Sequence, residues 1–476
     1  MISEEWEYRI CQALGMTPTP EQQNAIRVFC SFIGDASDRA VMLMRGSAGT
    51  GKTSLASAIV RAMTALQQKV LLLAPTGRAA KVFALNSGHN AYTIHRKIYR
   101  QLTFTGESTG FNLNNNLQRD TLFIVDEASM VSNSNQAETI FGSGRLLDDL
   151  VRFVYSGNNC RLMLIGDRAQ LPPVGEMESP ALQDDFLAGY GLKTYSCDLN
   201  EVLRQSQHSG ILYNATVIRG MITHDKATQL PKIKFSGFPD IQMVPGGELI
   251  EALHTSYGEA GYDETIVITR SNKRANIYNN GIRGTVLDRE EQLCRGDMLM
   301  VVRNNYYWAL KEKTRLEFIA NGDRVKVLRV RNHRSFYGLH FADVTMELPD
   351  YDDLQMQATV ILDSLTSDAP ALTREQSDAL FQGVCADYSD VQLKADRMKR
   401  VREDMYYNAL QVKYAYAVTC HKAQGGQWQH VYVDQGYMTD DMLSPDYIHW
   451  LYTAFTRATD KLFLVNWPDT QTETAD

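Results

Sequence analysis

A chain of 476 residues, 44% of them hydrophobic and 22% charged, is long enough for roughly two to four packed domains and too apolar for wholesale disorder. Its 48 Lys and Arg against 56 Asp and Glu leave a net charge of −8, so no global basic signature marks a nucleic-acid binder, and such a partner would need a local positive groove. Seven scattered cysteines without a CxxC pair argue against a disulfide framework or zinc ribbon, the opening MISEEWEYRI is no secretory signal, and apolar runs of about five residues fall short of the roughly 18 that span a bilayer. A cytoplasmic protein without membrane contact is expected.

Short apolar runs at 41–45, 70–75, 122–126 and 162–167 end in polar turns, and helical patterns at 53–66 and 145–155 separate some of them. This alternation predicts a doubly wound α/β domain over residues 1–190, with ligands gathering at the carboxyl ends of its parallel strands. Residues 99–117 read as two short strands around a turn, a hairpin inserted into that domain. A second set of strands at 265–269, 430–433 and 461–465 predicts another α/β domain, split into 191–299 and 404–476. Between its halves, 323–331, 339–347 and 357–362 alternate apolar and polar residues ahead of a charged helical stretch from Arg374. That pattern predicts a small antiparallel barrel plus helix over 300–403. Within it Tyr306, Tyr307 and Trp308 read as core in preference to a stacking patch, and Lys394, Arg397 and Arg400 as a solvated helix face.

Gly46, Ser47, Ala48, Gly49, Thr50, Gly51, Lys52 and Thr53 form a GxxxxGK[ST] loop between a strand and a helical pattern. In such a loop the glycines let main-chain N–H groups turn onto phosphates, Lys52 reaches the β- and γ-phosphates, and the Thr53 hydroxyl ligates Mg²⁺. The third strand ends in Asp126 and Glu127, where Asp126 can hold Mg²⁺ and Glu127 can act as general base on an attacking water. The fourth runs into 167–175, where Gln170 could reach the γ-phosphate and Pro172 and Pro173 stiffen the segment; a loop that merely ends the strand fits equally well. ATP and Mg²⁺ are the expected cofactors.

With these residues in hand, the chain resembles superfamily 1 helicases of the RecD-like and Pif-like branch, in nine blocks kept in the family's order. Thr19-Pro-Glu-Gln22 is similar to the adenine-reading Q motif, GSAGTGKT to motif I, 74–81 to motif Ia and 91–95 to the next strand-binding motif. Residues 126–130 resemble motif II, 166–175 motif III, 199–205 motif IV, 414–428 motif V and 451–458 motif VI. The resemblance implies an α/β fold of two RecA-like P-loop domains with an SH3-like barrel inserted in the second. It also implies ATP hydrolysis where those domains meet, movement along single-stranded DNA in the 5′→3′ sense, and duplex unwinding. Spacing alone sets no polarity and does not separate DNA from RNA.

The same resemblance implies that Gln22 and Gly425 contact nucleotide, that Arg204 and Arg457 are arginine fingers, and that Thr76, Arg78, Thr93, His95, Thr419, His421, Lys422 and Gln424 touch the strand. Gln427 departs from the family pattern and has no role. Relatives insert a hairpin where 99–117 lies, so Phe104 and Phe111 are candidates for a wedge at a duplex/single-strand junction, against the plainer reading of core phenylalanines. A monomer-capable motor is expected, with protein partners unknown. The alternative is a nucleotide-gated P-loop ATPase acting as a loader or clamp without strand separation.

Overall fold

Strands covered on both faces need unbroken apolar runs, and the first such run, Ala40–Gly46 (β1), is buried at every position in the computed structural model of this protein. The structure describes residues 2–101, 111–134, 141–201, 208–223, 230–314, 316 and 318–473. Its chain forms two compact units. Unit 1 is Met1–Pro231, Gln424–Gly426 and Asp440–Thr456; unit 2 is Lys232–Ala423, Gln427–Thr439 and Arg457–Asp476.

Unit 1 continues with β2 (Lys69–Ala74), β3 (Ala91–Thr93), β4 (Tyr99–Gln101), β5 (Phe111–Leu113), β6 (Thr121–Val125), β7 (Arg161–Gly166) and β8 (Lys193–Leu199). β4 and β5 pair antiparallel, Tyr99 opposite Leu113, and the other six make a parallel sheet in the order β3-β2-β6-β7-β1-β8. Against one face packs the helix Pro20–Ile33, opened by Pro20 and a Thr19 capping box. Its Ile26, Phe29 and Phe32 join Met42, Ile59 and Ile124 in the core. β8 pairs with β1 along its whole length, from Ala40 opposite Lys193 to Gly46 opposite Leu199, which carries the sheet past the expected limit of 190. The edge sequence KTYSCDL is half-exposed, so it lacks the apolar run that marks the inner strands. The helix Gly210–Thr223 also belongs to this unit and packs on the helix Pro445–Phe455.

Unit 2 contains β9 (Ile241–Val244), β10 (Thr265–Thr269), β11 (Met298–Val301), β12 (Arg324–Phe336), β13 (Leu339–Leu348), β14 (Leu354–Ile361), β15 (Leu410–Tyr414), β16 (Ala417–Thr419), β17 (Trp428–Asp434) and β18 (Ala458–Val465). Five of them form a parallel sheet in the order β16-β10-β17-β18-β9, and β11 to β15 close a barrel. β15 completes that barrel by pairing antiparallel with β11 and parallel with β14. The barrel therefore begins at Met298 and needs 410–414, beyond both ends of the expected 300–403. The helices Arg374–Asp387 and Lys394–Arg402 cover it, setting Leu380, Val384 and Val401 against Leu339, Phe341 and Ile361. Trp308 is core, its indole N–H donating to the Asn408 carbonyl at 2.8 Å. Lys394 and Arg400 are exposed, and Arg397 donates to the Val391 carbonyl. Among the described residues no helix is long and apolar enough to cross a membrane.

One fully buried carboxylate fixes where the barrel starts. Asp297 accepts from Arg283 through both oxygens (2.9 Å each), from Arg289 (2.7 Å), from the Tyr416 hydroxyl (3.0 Å) and from the Cys294 N–H (2.7 Å). Removing a buried charged partner strands the others, which costs about 3–5 kcal/mol. Asp297→Ala is therefore expected to lower unfolding free energy by that amount in urea titration, and a loss below about 1 kcal/mol would count against the network.

Candidate functional site

The GxxxxGK[ST] loop leaves β1 and enters the helix Lys52–Ala65 through two left-handed glycines, Gly49 (φ 77°) and Gly51 (φ 82°), a conformation that side chains with a Cβ resist. Gly46 is needed for a different reason: a Cβ there would lie 2.8 Å from the Leu199 carbonyl oxygen and 2.9 Å from Thr50 Oγ1. Inside the loop the Ser47 carbonyl accepts from Thr50 Oγ1 and from Lys52 Nζ, both at 2.8 Å. Outside it, Gln22 Nε2 donates to the Thr50 carbonyl (3.1 Å), Arg219 donates to Ser47 Oγ, and the Ala48 N–H donates to the Tyr452 hydroxyl (3.0 Å). A cavity of about 680 Å³ opens beside the loop, with Gly46, Ser47, Asp167, Asn200, Arg219 and His449 in its wall.

Asp126 and Glu127 follow β6, Glu127 in the left-handed region (φ 53°) with its N–H donating to Asp126 Oδ1 at 2.9 Å. Burial and the adjacent Glu127 charge push the Asp126 carboxyl up to about 7, and the Lys52 ammonium pulls it back down. The lysine and the acid pair thus share one electrostatic site. Among the described residues no three His, Cys, Asp or Glu side chains cluster to hold a metal. The donor set nevertheless fits Mg²⁺, which takes hard oxygen ligands and commonly uses one or two carboxylates plus phosphates. Thr53 offers a hydroxyl and Asp126 a carboxylate whose charge is poorly compensated as it stands.

The segment after β7 is held by the helix Pro445–Phe455. Asp167 accepts from the Ala169 N–H (2.9 Å) and from the Tyr452 hydroxyl (2.6 Å), Thr453 Oγ1 accepts from the Leu171 N–H (2.7 Å), and His449 Nδ1 lies 2.9 Å from the Ala169 carbonyl. Gln424 Nε2 donates to the Leu171 carbonyl at 2.6 Å. Gln170 is buried, and its Oε1 has no hydrogen-bond partner.

Several expected contacts are already committed elsewhere. Gln22 is 1% exposed and uses both ends of its amide, Nε2 on Thr50 and Oε1 on the Thr19 N–H (3.1 Å), so it supports the loop and presents nothing to a base. Gly425 (φ 71°) lies against the start of the helix Gly77–Ser87, where a Cβ would come within 3.1 Å of Thr76 Oγ1 and Ala79 Cβ, and not against the phosphate loop. The Thr76 and Thr93 hydroxyls cap helices, accepting from the Ala79 N–H (3.2 Å) and the Arg96 N–H (3.3 Å). Arg78 is half-buried on the first turn after Thr76.

His95 sits 4.9 Å from the Phe141 ring and 5.8 Å from the Tyr99 ring, and burial lowers its pKa to about 4, so it is neutral at pH 7. Phe111 belongs to the same aromatic cluster, buried 5.0 Å from Phe141, which removes it as a wedge and makes it core. Phe104 and Arg204 lie outside the described residues. In unit 2, Thr419 ends β16, His421 is exposed, and burial and the Lys413 charge lower the Lys422 pKa to about 8. Arg457 is 2% exposed, beside the start of β18. Tyr452, Asp167 and Arg219 are site residues that the sequence reading did not single out. The first two stand inside motif-like blocks that could have flagged them; nothing local distinguishes Arg219.

A family model described as an AAA domain matches residues 17–229, and one described as a UvrD-like helicase C-terminal domain matches 414–465. The ATP-dependent DNA helicase Dda of Enterobacteria phage T4 is 24% identical over 73% of this chain and 77% of its own. The ATP-dependent RecD2 DNA helicase of Deinococcus radiodurans is 32% identical over 30% of this chain and 18% of its own. The chain is thus similar to superfamily 1 helicases of the Pif1/RecD-like kind. A crystal structure of Bacteroides Pif1 bound to ssDNA aligns over 97% of this chain and 95% of its own, at 16% identity and a TM-score of 0.49.

The phosphate loop falls within the 17–229 match. The C-terminal match begins at Tyr414, the last residue of β15, so the barrel's closing strand leads straight into the matched segment. Because Gln22 holds the loop, Gln22→Ala is expected to weaken ATP and GTP binding together, by about five- to tenfold each. Parallel titrations of the two nucleotides check this, and a change in their ratio would restore a base-reading role.

Proposed function

We propose that this protein is an ATP-dependent DNA helicase that moves along single-stranded DNA, 5′→3′ by branch resemblance, and separates duplex. The observation that carries the reading is the convergence of Lys52 with Asp126 and Glu127 at a phosphate loop. Lys52, now on the Ser47 carbonyl, turns to the β- and γ-phosphates, and the loop's N–H groups cradle them. Mg²⁺, held by Thr53 and Asp126, would neutralise phosphate oxygens. Glu127 takes the proton of the attacking water, and the unpartnered Gln170 Oε1 is an acceptor that can orient that water. Arg204 and Arg457 are proposed as the cations that stabilise charge on the transferring phosphoryl group.

Strand contacts are proposed at Arg78, His421 and Lys422, with Thr76, Thr93, His95, Thr419 and Gln424 placing them. Cations and amides along a backbone groove bind single strands without reading sequence. Duplex/single-strand junctions are the proposed substrate, and the chain is proposed to act as a monomer.

Steady-state ATPase measured with and without single-stranded DNA at one salt concentration tests the reading. Stimulation of about tenfold or more is expected in the wild type, with a loss of about 100-fold or more in Lys52→Ala. Hydrolysis indifferent to DNA would favour a loader or clamp. A second check uses Lys422, charged below its pKa of about 8 and neutral above it. Affinity for single-stranded DNA should fall as pH rises from about 7 to about 9, and Lys422→Arg should flatten that fall because a guanidinium stays protonated.

A further inference from the structure

The Tyr452 hydroxyl reaches the phosphate loop across 404 residues of sequence, accepting from the Ala48 N–H at 3.0 Å while donating to Asp167 Oδ2 at 2.6 Å. Tyr452 is 1% exposed, and burial with the Asp167 charge holds its phenol protonated, so its one proton stays directed at Asp167 and its lone pair at Ala48. The other oxygen of Asp167 takes the Ala169 N–H, and the segment that follows is fixed at Leu171 by Thr453 and Gln424. Gln424 adjoins Gly425, which is seated on Thr76 at the start of the helix Gly77–Ser87. An unbroken run of contacts in unit 1 thus joins the phosphate loop to a helix start where strand contacts are proposed. Main-chain N–H groups of such a loop are the donors that cradle phosphate, yet the Ala48 donor is already taken. A phosphate oxygen and the phenol oxygen compete for it.

We propose that Tyr452 is a positioning residue that latches the nucleotide-free loop: its hydroxyl ties the Ala48 N–H to Asp167 until a triphosphate displaces it from Ala48. Its release passes occupancy along 167–171 to Gln424. The inference rests on the reading of the loop as an ATP site. Arg219, which donates to Ser47 Oγ from the helix Gly210–Thr223, is near enough to Tyr452 to act on it electrostatically and borders the same competition.

The test uses the full chain as wild type, Tyr452→Phe and Asp167→Asn, with thermal melting to establish that each is folded. Two constants are measured at one salt concentration: the Kd of the non-hydrolysable β,γ-imido analogue of ATP with Mg²⁺, and the Kd of a dT oligonucleotide with and without that analogue. Folded Tyr452→Phe should bind the analogue about three- to tenfold more tightly, because a competing hydrogen bond is gone, and should lose most of the nucleotide-dependent change in DNA affinity. Asp167→Asn replaces the charged acceptor of the hydroxyl by a neutral one and should move both constants the same way by less. A merely structural tyrosine would lower the melting temperature and leave both constants alone. The latch is overturned by unchanged or weaker analogue binding in the folded variants, or by a DNA response that is absent from the wild type or of wild-type size in Tyr452→Phe. Failure of the wild type to bind the analogue would instead sink the ATP-site reading, and the latch with it.

Discussion

A loop that turns successive main-chain N–H groups toward one point leaves its own carbonyls facing the other way, where they need side-chain donors. Side chains in and around residues 46–53 answer that constraint. Thr50 and Lys52 take the Ser47 carbonyl, Gln22 takes that of Thr50, and the Leu199 carbonyl of β8 receives the Ser47 N–H at 3.3 Å. The close approach of β8 leaves no room for a side chain at Gly46. Elements from four distant parts of the chain, the helix Pro20–Ile33, β8, the helix Gly210–Thr223 and the helix Pro445–Phe455, are therefore arranged around eight residues.

How far the sequence discloses this depends on how local each signal is. The phosphate loop and the acid pair at 126–127 are legible because phosphate and metal chemistry impose fixed residue types at fixed short spacings, and the buried parallel strands are legible because both of their faces are apolar. β8 is not, since an edge strand keeps polar residues on its open side. Gln22 shows a different limit: a motif names the residue, but an amide has two ends, and here a capping box claims one and the Thr50 carbonyl the other. Phe111 and His95 are individually ordinary, and only the packing of Tyr99, Phe111 and Phe141 turns them into an apolar cluster. No short-range pattern relates Tyr452 to Ala48.

In unit 2 the barrel is no loosely tethered addition. Only Ala415 and Tyr416 separate its closing strand β15 from β16 of the parallel sheet, and the Tyr416 hydroxyl reaches back to Asp297 at the barrel's first strand. Arg283 and Arg289 bind the same carboxylate from the segment that leads out of the sheet. Entrance and exit of the insertion are thereby fastened at a single buried charge, so barrel and sheet reorient together unless that network opens.

The helix Pro445–Phe455 has a consequence for biosynthesis. It belongs to unit 1, yet a ribosome makes it only after the whole barrel and most of unit 2. Domains made early ordinarily fold while the remainder is still being translated. Here the contacts of Tyr452, Thr453 and His449 with the loop at 48 and the segment at 167–171 must wait for a partner that emerges some 404 residues after Ala48. A nascent chain therefore carries a complete phosphate-loop sequence without the surroundings that position it, and the assembled site arises only in a chain translated nearly through its second unit.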